Sequence, residues 1–193
     1  MEPSLKQICV YAASSADVAP VYLQAAQALG EHMAAEGVAL VYGGGGTGLM
    51  GAVADAVLAG GGQVTGIMPH FMRELEWAHT AVADMRFVAD MHERKRTFLL
   101  GTDAVVALPG GCGTLEELLE VITWRRLGLF AKPIVIVNTA GYYDPLLQML
   151  NHAIAERFMP EAARAIWHVV EEARQVLPTL RTALALPVAH TSY

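Results

Sequence analysis

Residues 38–42 (VALVY), 104–108 (AVVAL) and 133–138 (PIVIVN) are apolar at nearly every position. A strand with one wet face alternates apolar and polar residues. A strand that is apolar throughout belongs to a sheet covered on both sides, and such sheets are parallel. Residues 7–12 (QICVYA) make a similar run, 63–68 a further strand, and 85–88 and 166–170 two weaker ones. Helical patterns fill the intervals at 21–36, 49–59, 92–100, 115–127, 145–156 and 171–180, with Gly37 placed to end the first of them. The alternation predicts an α/β fold: a doubly wound parallel sheet with helices on both faces. At roughly 100–200 residues per domain, a chain of 193 residues is one domain, 1–193, with 184–193 read as a loose tail.

Composition narrows the function classes. The chain is 54% hydrophobic and 17% charged, enough apolar material for a large core. Its net charge of -6 argues against a partner that is nucleic acid or an anionic membrane surface. Two cysteines, Cys9 and Cys112, cannot staple a fold, so a reducing, cytoplasmic setting is expected. The uncharged stretch 37–54 holds seven glycines and suits a loop far better than a membrane span.

In parallel sheets ligands sit beyond the carboxyl ends of the strands, where the strand order switches. Three loops leave strand ends with unusual chemistry: Ala13-Ser14-Ser15, the glycine run 43–48, and the stretch 110–114. They are expected to share one crevice. Gly43, Gly45 and Gly48 fit G-x-G-x-x-G, as do Gly46, Gly48 and Gly51, between a strand and a helix. Gly44, Gly45 and Gly48 are candidates to approach a phosphate closely, with Ser15 beside them. The next strand ends Ile67-Met68-Pro69-His70 with no carboxylate for a ribose, which disfavours NAD, and no G-K-[ST] follows to make a P-loop.

The second loop reads LPGGCGTLEE over 108–117. Thr114 and Glu117 have capping-box spacing, Thr114 as helix cap and Glu117 folding back. The same two acids, Glu116 and Glu117, can instead set a carboxylate against a bound sugar phosphate, and spacing alone leaves both readings open. The basic run Met91-His92-Glu93-Arg94-Lys95-Arg96 reads either as a solvated helix face or as a source of guanidinium donors for a phosphate or for Glu117. The histidines are scattered without paired-ligand spacing, so no metal site is expected. Met50, Met68, Met72 and Met91 read as core or pocket lining.

Taken in order, these pieces resemble the Lonely Guy family of cytokinin riboside 5'-monophosphate phosphoribohydrolases, often mislabelled as lysine decarboxylases. The matching segments are the serines at 14–15, VYGGGGTGLMG at 41–51, MHERK at 91–95, LPGGCGTLEE at 108–117, TWRRLG at 123–128 and KPIVIVNTAGYYDPLL at 132–147. The resemblance implies a homodimeric, Rossmann-like hydrolase that needs no cofactor. Its substrate would be an N6-substituted adenosine 5'-monophosphate or AMP itself, cleaved to free base and ribose 5-phosphate. It also implies a catalytic pair, Arg94 and Glu117. Substrate contacts carried over by position are Glu76, Lys95, Gly111, Cys112, Gly113, Thr114, Leu115, Glu116 and Thr123. The chain departs from the family at Cys112, where Tyr is usual, at Gly46-Thr47, at Ala13, and at Arg125 and Arg126, where the helix is commonly less basic.

Other readings compete. Cys112 at a helix start has the setting of a nucleophile, and His92 that of a general acid. A PLP decarboxylase needs a Schiff-base lysine, and the chain has only Lys6, Lys95 and Lys132. A non-catalytic nucleotide or cofactor carrier fits the same fold class.

Overall fold

The computed structural model describes residues 5–73 and 78–186. Seven strands, β1 (Gln7–Tyr11), β2 (Ala39–Tyr42), β3 (Val64–Pro69), β4 (Asp84–Val88), β5 (Ala104–Ala107), β6 (Ile134–Val137) and β7 (Trp167–Val170), form one sheet in the order β4-β3-β2-β1-β5-β6-β7. Every pairing is parallel. The six helices are α1 (Pro20–Ala35), α2 (Gly48–Ala59), α3 (Met91–Leu99), α4 (Cys112–Arg126), α5 (Asp144–Ala155) and α6 (Val176–Ala185). This is the doubly wound architecture expected from the sequence.

The uniformly apolar strands divide their side chains between two cores. On one face Ile8 and Val10 of β1 and Val106 of β5 pack with Leu29 of α1, Val53 of α2 and Leu180 of α6. On the other, Cys9, Val105 and Ile136 pack with Phe98 of α3, Leu118 and Ile122 of α4, and Ile154 of α5. Cys9 is therefore sealed core. Strand order runs outward from β1 to β4 on one side and restarts at β5 on the other, so the crossovers part between β1 and β5 and leave a crevice at their carboxyl ends.

Two helices differ from the expected bounds by more than one residue. Helix α4 begins at Cys112, not 115, with Gly111 as its cap residue and no side-chain cap. Thr114 lies inside the first turn and is buried, so the Thr114–Glu117 capping box does not form. The glycines that read as loop occupy a first turn whose amides need no helical partner, where low helix propensity costs little. The last helix is not 171–180 either. A 3-10 turn at Ala173–Gln175 precedes α6. Pro178 forces this, because proline is tolerated only in a helix's first turn. Leu184 and Ala185 thus belong to α6 rather than to a tail, and 187–193 lie outside the described residues.

Candidate active site

The three loops do converge. Ala13, Ser14 and Ser15 after β1, Gly43 after β2, and Gly111 to Thr114 at the start of α4 line one cleft of about 360 Å³. Hydrogen bonds to main-chain carbonyls stitch the loops together: the Thr47 hydroxyl donates to the Ser14 carbonyl at 2.8 Å, and the Met50 amide to the Ala13 carbonyl at 3.1 Å. Gly48 shows why its residue type is required. Its φ is +61°, and a Cβ there would stand 2.4 Å from the Ser15 carbonyl oxygen. Gly44, Gly45 and Gly48, expected to approach the phosphate, are not on the cleft wall; the residue of that loop which lines it is Gly43.

Helix α4 brings the acids. Glu116 and Glu117 both line the cleft, one turn above the amides of Cys112, Gly113 and Thr114, which have no acceptor within the helix. The negative charge of Glu117 reaches the cleft floor. Burial pushes the Cys9 thiol and the Tyr11 phenol up from their ordinary values, and the Glu117 carboxylate adds to both shifts. The Thr114 side chain fills the space beside Gly110, where a Cβ would meet the Thr114 Oγ at 2.2 Å.

Helix α3 brings Arg94, only 5% exposed. The helix is capped by Asp90, whose carboxylate accepts from the Glu93 amide at 2.8 Å, while Glu93 accepts from the Ala89 amide at 2.7 Å. Arg94 Nε donates to the Ile67 carbonyl at 3.1 Å, and Nη2 to the Gly43 carbonyl at 3.0 Å. Its guanidinium lies 5.2 Å from the Phe98 ring centre and touches the Met72 and Met91 sulfurs. It is thus fixed against the first glycine loop while lining the cleft. Lys95, next in sequence, points elsewhere: its ammonium meets Glu116 at 2.6 Å and Glu120 at 2.9 Å. Burial opposes the charge on Lys95, but the two carboxylates outweigh it and hold its pKa above the ordinary lysine value.

The remaining expected residues fall as follows. Leu115 and Thr123 line a shallower groove along α4, which shares Cys112 and Glu116 with the cleft. Glu76 lies outside the described residues. His92 is exposed and is not on the cleft wall. Met50, Met72 and Met91 line the cleft, as expected of pocket methionines, and Met68 is core. Two tyrosines carried no functional signal in the sequence. The Tyr143 hydroxyl donates to the Leu108 carbonyl at 2.7 Å, and the Tyr142 hydroxyl to the Gly110 carbonyl at 2.7 Å, clamping both ends of the turn that leads into α4.

Comparison with known proteins decides the family. The chain is 42% identical over 180 residues to the Arabidopsis thaliana cytokinin riboside 5'-monophosphate phosphoribohydrolase LOG1, covering 93% of this chain and 84% of that protein. It is 44% identical over 172 residues to the Oryza sativa subsp. japonica enzyme LOG, covering 89% and 71%. The chain belongs to the cytokinin riboside 5'-monophosphate phosphoribohydrolase family. The broader family described as "Possible lysine decarboxylase" matches residues 50–180. Among solved structures, the molybdenum cofactor carrier protein of Chlamydomonas reinhardtii superposes with a TM-score of 0.71 over 95% of this chain and 100% of its own, at 21% identity. The molybdenum cofactor binding protein of Rippkaea orientalis gives 0.67 over 91% and 94%, at 20% identity. These two likenesses concern the fold.

The decarboxylase description of the wider family does not suit this phosphoribohydrolase relative. A Schiff-base lysine must reach the substrate and lose its proton. Lys6 and Lys132 are exposed at other places, and Lys95 is held charged between two carboxylates. None of the three lines the cleft. Among the described residues no cluster of three metal-ligating side chains occurs.

Proposed function

We propose that this protein hydrolyses the N-glycosidic bond of purine nucleoside 5'-monophosphates, either N6-substituted cytokinin precursors or AMP, to free base and ribose 5-phosphate. The family membership supports the reaction. The observation that carries the residue roles is the meeting of Glu117, Arg94 and the first turn of α4, whose amides have no intrahelical acceptor, in one cleft.

The division of labour follows from charge. The amides of Cys112, Gly113 and Thr114, with the Ser15 hydroxyl, hold the 5'-phosphate at the positive end of α4. As the C1'–N9 bond breaks, its electron pair leaves with the purine and positive charge builds on the ribose. Glu117 stabilises that cation and orients the water. The water oxygen bonds to C1', and its proton balances the charge of the departing base. Arg94, locked by two backbone carbonyls, steadies the glycine loop and shares the cleft with Glu117. The methionine-lined wall and Cys112 face the base, and an apolar N6 substituent suits that surface better than bulk water does.

We also infer a homodimer in a cytoplasmic, reducing setting. Leu119 is 39% exposed beside Leu115 and Trp124 on α4, next to the cleft, and Phe158 beyond α5 is 82% exposed. A second copy covering the α4 groove would bury Leu115, Leu119 and Trp124.

The test is chromatographic release of base from AMP and isopentenyladenosine monophosphate, with the unphosphorylated nucleosides as controls. Turnover confined to the 5'-monophosphates is expected. Equal turnover of nucleosides would remove the phosphate cradle from the account, and binding without base release would turn the protein into a carrier.

A further inference from the structure

A second recess lies at the opposite end of the sheet, where β6 and β7 begin. It measures about 380 Å³ and is walled by the end of α4, the segment before β6, the 3-10 turn at Glu161–Ala165, the start of β7 and the end of α6. Its charged and titratable lining is wholly basic: Arg125, Lys132, Arg164 and His168. In a chain of net charge -6 this convergence is conspicuous.

Its charges are only partly compensated. Arg164 is paired with Glu161. Arg125 donates to the Lys132 carbonyl, and among the described residues neither Arg125 nor Lys132 meets a carboxylate. Arg125 is partly withdrawn from water, which lowers its pKa. Burial also lowers the pKa of His168, and the nearby Arg125 charge lowers it further. Like charges gathered in a concavity and only partly compensated repel one another, and a bound anion relieves that repulsion. Trp167, Pro133 and Leu184 supply an apolar wall beside the cations.

We propose that this recess is a second ligand site, separate from the catalytic cleft, that takes the phosphate ester of a small organic molecule. Arg125 and Lys132 hold the phosphate, His168 adds a donor when protonated, and the Trp167 side receives the organic part. Arginine and lysine are the ordinary phosphate binders, one as a planar fork and the other as a point charge.

The experiment follows the imidazole proton resonance of His168 by NMR, assigned with His168→Asn, while phenyl phosphate or inorganic phosphate is titrated into the intact protein. Saturable movement at millimolar or lower concentration is expected. The bound anion should raise the pH at which His168 titrates, because it favours the imidazolium. Phenyl phosphate should bind more tightly than inorganic phosphate. Arg125→Gln should weaken binding by about tenfold to a hundredfold, the loss expected for a charged hydrogen bond. Lys132 is exposed, so Lys132→Gln tests the same point without disturbing packing. Base release from nucleoside monophosphates should be unchanged in both variants. No saturable shift, or a shift that survives both substitutions, overturns the site. Equal affinity for the two probes overturns the assignment of an organic ester.

Discussion

At the residue scale the cleft separates two kinds of polar group. Glu117 stands on its wall, and its charge is felt by the buried Cys9 and Tyr11 beneath. Glu117→Gln keeps the shape and removes the charge. Base release should fall by about 10²–10³-fold, the effect of losing one electrostatic partner of a transition state, while calorimetry should still find nucleotide bound. Near-normal turnover would strip Glu117 of its role. Arg94 is as much a structural bond as a chemical group. Arg94→Ala leaves the Ile67 and Gly43 carbonyls without their donor, so the urea midpoint should report a loss of about 2–4 kcal/mol along with activity. Gly48→Ala meets both a positive φ and the Ser15 carbonyl, and should lower the melting temperature and raise KM together. Sequence reasoning found Glu117 but left it between cap and catalyst. Only the actual start of α4 separates the two, because a capping box requires Thr114 at the helix boundary and it lies inside.

At the element scale, α3 and α4 act through each other. Lys95 of α3 bridges to Glu116 and Glu120 of α4, joining the helix that carries Arg94 to the one that carries Glu117. Because the folded-state pKa of Lys95 is raised, the tie contributes fully below the unfolded lysine value and is lost as pH rises through the folded one. Unfolding monitored against pH should therefore show a stability decline above ~10.4 that Lys95→Met lacks. The turn into α4 depends on the tyrosine clamp. Tyr143→Phe leaves the buried Leu108 carbonyl unmet, and should cost about 1–3 kcal/mol by urea unfolding. Elements were largely legible in the sequence because strands apolar on both faces and glycine-ended helices have few alternative readings. The clamp was not, since a tyrosine in a KPIVIVNTAGYYDP segment gives no sign that its hydroxyl reaches back more than thirty positions to Leu108 and Gly110.

At the scale of the whole molecule, the parallel sheet and its reversal of strand order between β1 and β5 decide where chemistry can happen. The expectation that three distant loops share a crevice came from that rule alone, and the cleft between them bears it out. Which residues of each loop face inward was not legible, because it depends on packing: Gly43 faces the cleft while Gly44 abuts β3 and β4 and Gly48 abuts the Ser14-Ser15 loop. Sedimentation should give about twice 20.7 kDa, and Leu119→Glu in the shallow groove of α4 should return the single-chain mass. A persistent single-chain mass in the unaltered protein would refute the pairing.

The groups proposed to grip phosphate are mainly main-chain amides, while the wall proposed to face the purine is made of replaceable side chains, Met72, Met91 and Cys112. Anchorage and taste are therefore encoded in different parts of the polymer. A lineage is free to retune which purine it accepts by exchanging a few sulfur-bearing residues, without rebuilding the grip that makes any nucleotide a substrate.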